Sequence, residues 1–347
     1  MRAATNTEYG TPDVLDITEV DRPTPGPREV LVEVHASAVT HGDRRLRAAD
    51  FPGIGALFGR LMFGVFAPRH PVGGTMFAGR VSAVGSEVTR FAVGDDVFGN
   101  VDHGAYAEYL VVEEDGAVAT KPQGIDYAEA AAIPYGAGTA LTFLRDMAKV
   151  ERGERVLIVG ATGGVGRMAV QVAKHLGAHV TAVGSRDAEL VHALGADEFI
   201  DYTLEEFTAG DARWDVIFDT TEGDHFRAFR GSLTATGRYL SLYLTTRLLF
   251  QMAITALRSG PRAMGGVALG SAEGMEDLRE LVEAGALRAV VAERYPLSEI
   301  ADAHGALEGR PSGDVVVEVA SVRRTVRPST EQAANDLSGP APVLMAG

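Results

Sequence analysis

The segment RVLIVGATGGVGRMAVQVAKHLGA, residues 155–178, constrains the fold more than any other part of the chain. An apolar strand runs into Gly160, a glycine-rich turn follows, and an amphipathic helix carries Val165, Ala169, Val172 and Leu176 on one face until Gly177. A helix entered through such a turn presents unpaired N–H groups and the positive end of its dipole, which suits a pyrophosphate. Thr162, Gly163, Gly164 and Val165 form the loop. Gly163 and Gly164 admit a close backbone approach, and Gly166 lets helix pack on strand. Ala161 stands where a dinucleotide fingerprint has its first glycine, so the pattern is A-x-G-G-V-G. An ordinary glycine-rich turn in an α/β domain is the competing reading; the flanking strand and helix favour a dinucleotide.

The rest of the chain fits around that unit. Residues 1–125 read as short strands and turns: 26–39, two strands within 79–99 split at Gly85-Ser86 and Gly94-Asp95-Asp96, and 105–112. A helical stretch from Tyr127, broken near Pro134 and Gly136, leads into alternating elements. Strands at 156–159, 180–183 and 216–219 alternate with helices at 165–176 and 188–194, the pattern of a doubly wound parallel sheet. A helix stopped at Gly285, another capped by Ser298, and a last strand over 314–319 complete the α/β fold. Residues 323–347 lack periodicity and read as a flexible tail.

Composition removes several functions. The formal net charge is -15, which repels phosphate backbones and excludes nucleic acid as a partner. There is no cysteine, so disulfides, four-cysteine zinc sites and cysteine nucleophiles are absent. Arg60 interrupts the apolar run over 51–68, and Thr245, Thr246, Arg247 and Gln251 interrupt that over 239–257, so no membrane span is expected. The opening MRAATNTEYG lacks the apolar core of a secretion signal, and a cytoplasmic location is expected. No G-x-S-x-G, H-E-x-x-H or Walker loop occurs.

The second strand of the parallel unit ends in Gly184-Ser185-Arg186. A site for NAD(H) would place an acidic residue there for the ribose 2′-OH. Serine and arginine suit a 2′-phosphate instead, so the expected cofactor is NADPH; Asp187 comes one place late, and a solvated surface arginine is the alternative for Arg186.

Taken in order, ASAVTHGD, GTMFAGRVSAVGSEVTRFAVGDDVFG, GAYAEY, GAGTAL, RVLIVGATGGVG, FIDY and SGDVVVEV resemble the medium-chain dehydrogenase/reductase superfamily, in its zinc-independent quinone-oxidoreductase-like (zeta-crystallin-like) branch. The resemblance runs over about residues 1–320. It implies a GroES-like β-barrel domain over 1–127, completed by 294–322, a Rossmann domain over 128–293, an active site in the cleft between them, and a homodimer. It further implies a metal-free NADPH-dependent reductase of enones, quinones or other activated double bonds. Zinc-dependent relatives have Gly-His-Glu where this chain has Gly74-Thr75-Met76, and neither threonine nor methionine replaces imidazole or carboxylate on Zn²⁺. No metal is expected.

Carried over residue by residue, the resemblance places Thr40 near the nicotinamide in place of an asparagine, with Asp43 matching the family aspartate. His41 replaces a proline and is either a general acid or a structural histidine. Thr139 falls near the nicotinamide ribose, Ser185, Arg186 and Tyr202 at the 2′-phosphate, and Asp219 and Thr220 at the end of the fourth Rossmann strand. Tyr135 and Tyr243 fall near the nicotinamide, each a proton donor or a wall. Asp314 replaces a family lysine and is expected to weaken a cofactor contact. The glycine-rich apolar loop over 50–68 reads as a lid, and 244–264 as a second cleft wall, suiting an apolar small-molecule substrate. Two other readings stay open: a natural-product tailoring enzyme of the same fold with atypical chemistry, and a non-catalytic NADPH-binding protein.

Overall fold

The computed structural model describes residues 1–51, 55–208, 213–223 and 225–319. The expected tail and residues 320–322 lie outside them. In the first third, β1 (Arg2–Thr5), β2 (Asp16–Glu19) and β3 (Glu29–Val39) precede two helices, α1 (His41–Ala48) and α2 (Gly55–Phe63). Strands β4 (Met76–Val84), β5 (Asp96–Asn100), β6 (Tyr109–Glu113) and β7 (Val118–Thr120) follow. Helix α3 (Tyr127–Ala140) then leads through a π-helical turn, Leu141–Met147, into the alternating region.

That region runs β8 (Arg155–Val159), α4 (Gly164–His175), β9 (His179–Gly184), α5 (Ala188–Ala193), β10 (Glu198–Asp201), β11 (Trp214–Asp219), α6 (Phe226–Phe229), β12 (Leu233–Ser241), α7 (Thr246–Ala256) and β13 (Arg262–Gly265). Its strands pair in parallel in the order β10-β9-β8-β11-β12-β13, the doubly wound arrangement whose strand order reverses beside β8. Helix α8 (Ala272–Glu283), β14 (Val291–Pro296), α9 (Ile300–Glu308) and β15 (Asp314–Glu318) return the chain to the first sheet. There β15 pairs with the end of β3, while β4 and β6 pair with its earlier part. The sheet branches where β3 changes partners and curls around Val32, Phe77, Val97, Leu110 and Val317.

Three local expectations need correction. Pro134 and Gly136 do not break α3. Proline inside a helix costs about 3 kcal/mol, but α3 is buried between β3, β4, β15 and α4, and packing on both sides outweighs that cost. Gly136 serves close approach instead: a Cβ there would lie 2.8 Å from the Gly164 carbonyl oxygen. Ser298 does not cap α9. It sits in a short 3-10 turn, Leu297–Glu299, and Glu299 precedes the helix without a side-chain cap. The stretch 50–68 contains a helix, α2, where Gly59 lies so close to the Phe51 ring that a Cβ would clash. Leu61 and Met62 on the last turn of α2, and Phe66 after it, are exposed.

Candidate active site

The strand–turn–helix at Gly160 forms as its sequence requires. Gly160 has φ +77°, its carbonyl accepts the Gly163 amide at 3.0 Å, and Gly163 becomes the extended cap of α4. A Cβ at Gly166 would lie 2.1 Å from the Gly160 oxygen, so helix and strand meet only through glycine. The loop Thr162–Val165 therefore presents backbone N–H groups at a helix start, at the switch point of the sheet.

Three residues expected at the cofactor are tied up in hydrogen bonds within the chain. Asp219 is fully buried; its Oδ2 accepts from the Tyr239 hydroxyl at 2.8 Å and pairs with His225 at 2.7 Å, and its Oδ1 accepts from the Thr221 hydroxyl and amide. The carboxylate fastens the turn after β11 and has no oxygen left for a ligand. Thr220 donates its hydroxyl to the Val159 carbonyl at 2.8 Å, tying β11 to β8. Thr139 likewise donates to the Tyr135 carbonyl at 2.6 Å, within its own helix.

At the adenosine side, Ser185 and Arg186 stand exposed at the end of β9, and Tyr202 is exposed beyond β10. The Tyr202 amide donates to the Gly184 carbonyl, which brings these three residues together. Arg186 donates to the Arg310 carbonyl and lies 3.6 Å from the Asp187 carboxylate.

The expected weak contact at Asp314 takes a specific form. Arg167, on the first turn of α4 and 2% exposed, donates to the Thr162 carbonyl at 2.7 Å and to Asp314 Oδ1 at 2.8 Å. That oxygen lies 3.6 Å from where a Gly164 Cβ would be, so a carboxylate borders the phosphate loop with a buried guanidinium behind it. Burial pushes the Asp314 carboxyl up to about 6, against the opposing pull of Arg167. Arg167 had not been singled out; a charged residue three positions into a glycine-loop helix, on its buried side, was the available signal.

At the other end of the cleft, β3 delivers Thr40 as the cap of α1. Thr40 Oγ1 accepts the Asp43 amide, while Asp43 Oδ2 accepts the Thr40 amide at 2.8 Å and its hydroxyl at 2.6 Å. Thr75 donates to Asp43 Oδ1 at 2.9 Å. The Tyr106 hydroxyl lies beside this carboxyl without a hydrogen bond of good geometry. Asp43 is 3% exposed, and burial pushes its carboxyl up against those hydrogen bonds. Thr40 and Asp43, both expected among the catalytic residues, spend their polar groups on each other.

His41 opens α1 at the cleft mouth. Desolvation, and then the guanidiniums of Arg44, Arg45, Arg310 and Arg167, hold its pKa below the usual imidazole range, so the ring is neutral at pH 7. A neutral imidazole lacks the acidic imidazolium proton and keeps one N–H, which can still donate a hydrogen bond. Tyr135, on α3, lies against Gly42, with its ring 3.2 Å from where a Cβ would stand. Burial and the Asp43 charge raise its phenol to about 12. Tyr243, after β12, is raised by burial and sits under the Arg45 guanidinium at 4.7 Å. The fold thus brings Thr40, His41, Tyr135 and Tyr243 to one cleft and adds Arg45. Of the wall expected over 244–264, Leu248 packs against Trp214 and Phe226 in a separate core, and α7 lines a different cavity.

Among the described residues no group of three or more histidine, aspartate or glutamate side chains converges as for a metal, and no helix is long and apolar enough to cross a membrane.

Comparison with known proteins agrees with this arrangement. Residues 26–123 match the alcohol dehydrogenase GroES-like domain, and residues 194–317 match the zinc-binding dehydrogenase domain. The chloroplast envelope quinone oxidoreductase homolog of Arabidopsis thaliana is 30% identical over 321 residues, covering 88% of this chain and 94% of that protein. The 2-methylene-furan-3-one reductase of Solanum lycopersicum is 30% identical over 344 residues, covering 91% and 79%. The quinone oxidoreductase structure from Coxiella burnetii superposes with a TM-score of 0.81 at 30% identity, covering 92% of this chain and 99% of that one.

Proposed function

The chain belongs to the medium-chain dehydrogenase/reductase superfamily, in its quinone-oxidoreductase-like branch, and from that premise we propose that it is a metal-free, NADPH-dependent reductase of an enone, quinone or similarly activated double bond. The observation that carries the reading is the donor set: the phenols of Tyr135 and Tyr243 gather near Asp43, while Thr75 and Met76 stand where zinc-dependent relatives have His and Glu. Thr75 is bonded to Asp43, and Met76 is 2% exposed within β4. Thioether and hydroxyl are the wrong donors for zinc, so no step is assigned to a metal.

A nicotinamide cofactor fits. The amides of Gly163, Gly164 and Val165 would hold its pyrophosphate, and Ser185, Arg186 and Tyr202 would take a 2′-phosphate. When bound, the reduced nicotinamide supplies the hydride. The capping box of Thr40 and Asp43 fixes the start of α1 and so positions the cleft floor. Tyr135 and Tyr243 donate hydrogen bonds to the acceptor's carbonyl oxygen as negative charge develops there, and one of these phenols hands it the proton. Arg45, over Tyr243, stabilises that developing charge.

The test is an acceptor panel run with NADPH and NADH in parallel. Oxidation of NADPH by phenanthrenequinone and by a simple enone is expected, with the lower KM for NADPH. Tight NADPH binding without turnover across the panel would favour the tailoring or binding-protein readings, and a lower Kd for NADH would overturn the cofactor assignment.

A further inference from the structure

Helix α7 and the short α6 enclose a cavity of about 520 Å³ on the flank of the parallel sheet, apart from the cleft and its residues. Its polar lining is one-signed: Arg227 and Arg230 come from the α6 side, Arg247 and Arg258 from α7 and its end. The chain as a whole carries -15, so this clustering runs against its own composition. Arg227, Arg230 and Arg258 make no ion pair or side-chain hydrogen bond among the described residues. Like charges gathered in a concave, partly apolar site repel one another more strongly than on an open surface. The remaining wall is apolar: Phe226 is buried beneath, Ile254 is half-buried, and Phe250 stands 67% exposed at the rim. Guanidiniums above an aromatic and aliphatic floor match one ligand chemistry, an anionic head on an apolar body.

We propose that the cavity between α6 and α7 binds a small amphiphilic anion, with its carboxylate or phosphate head on Arg227, Arg230 and Arg258 and its apolar chain along Phe250 and Ile254. The site is independent of the cofactor and acceptor assigned to the cleft. The head is a group that arginine binds in two-pronged fashion, and carboxylate and phosphate share that geometry. Two sources carry such a group, a free amphiphile and a lipid headgroup, and a concave site of about 520 Å³ with arginines at its rim and an apolar floor is scaled to a single small molecule.

The test is calorimetric titration of the intact protein with decanoate and with octyl phosphate, each below its micelle threshold. Saturable binding at one site per chain is expected, undiminished by saturating NADPH and weakened by added salt. Decanol, with no charge, and inorganic phosphate, with no tail, should each bind about tenfold or more weakly, the first for want of a charge-assisted hydrogen bond and the second for want of buried chain. Arg227→Glu with Arg258→Glu should abolish binding. Phe250→Ser should weaken decanoate while leaving thermal unfolding unchanged, because Phe250 is exposed. Displacement by NADPH, or undiminished binding to the double variant, would overturn the assignment. Adsorption to phosphatidylglycerol vesicles without binding of either free amphiphile would also overturn it, since the arginines would then act as a flat membrane-facing surface.

Discussion

Tyr135 and Tyr243 are the phenols proposed to meet a bound acceptor, and burial raises the pKa of both. Their hydroxyls are donors at neutral pH, while His41, its pKa lowered, lacks the imidazolium proton and retains a single ring N–H donor. Tyr135→Phe or Tyr243→Phe, whichever removes the proton donor, should lower kcat for an enone about 100-fold and leave the Kd for NADPH unchanged. Unchanged kcat in both variants would make the two rings walls. Arg186 belongs to a different event. Arg186→Ala should raise the Kd for NADPH about tenfold or more while leaving NADH unaffected, measured by quenching of protein fluorescence. An equal loss for both cofactors would place Arg186 outside the 2′-phosphate site.

Helix α4 is held at both ends of its first turn by features that a secondary-structure pattern does not contain. Gly136 lets α3 lie against its start, and Arg167 fastens it to Asp314 of β15. Gly136→Ala should force the two helices apart and cost about 1–3 kcal/mol in urea denaturation. The Arg167–Asp314 pair joins the phosphate loop to the returning strand, and its carboxylate adds negative charge where a pyrophosphate lies. Asp314→Asn should therefore lower the Kd for NADPH and NADH alike several-fold; an unchanged or raised Kd would mean that the pair shapes the loop and does not set its charge. The same residue has a pH signature. Its carboxyl titrates about 6 in the folded chain against an ordinary 3.8. The folded state then binds the proton more tightly, so the wild type loses stability as pH rises through that window and levels off above it. Asp314→Asn has no such titration. The gap between their urea midpoints should move in favour of the variant across about pH 4 to 6 and stay constant above it; a gap that does not change with pH would show that the carboxyl is not held high by burial.

At the scale of the molecule, α3 lies against β3, β4 and β15 on one side and α4 on the other, so the two sheets share one helix and the cleft forms beside it. The cleft's donor set predicts that the purified protein carries no stoichiometric zinc and keeps its activity in EDTA; one tightly bound zinc per chain by elemental analysis would overturn that. The parallel sheet ends at β13, followed by exposed Val267 and Leu269, and a homodimer is proposed to cover this edge. Analytical ultracentrifugation should return twice the mass of the 36.6 kDa chain.

Local patterning determined a good deal by itself. Gly160, with positive φ, and Gly166, where a Cβ would clash with the Gly160 oxygen, stand where backbone sterics allow nothing else, so the strand–turn–helix was legible from residue types alone. The alternation of short apolar strands with amphipathic helices likewise foretold the parallel sheet, because burial on one face imposes a period on each element. The roles of polar side chains were decided only in three dimensions. Asp219 and Thr220, expected at the cofactor from the end of the fourth Rossmann strand, bond to Tyr239, His225, Thr221 and Val159. Thr40 and Asp43 close on each other and on Thr75, and Pro134 stays inside a helix because the first sheet and α4 press on it from either side. Arg167 finds Asp314 at a distance of 147 residues. A hydrogen bond or ion pair depends on which distant backbone arrives beside a group and how much water is excluded there, and neither quantity is a property of the local chain.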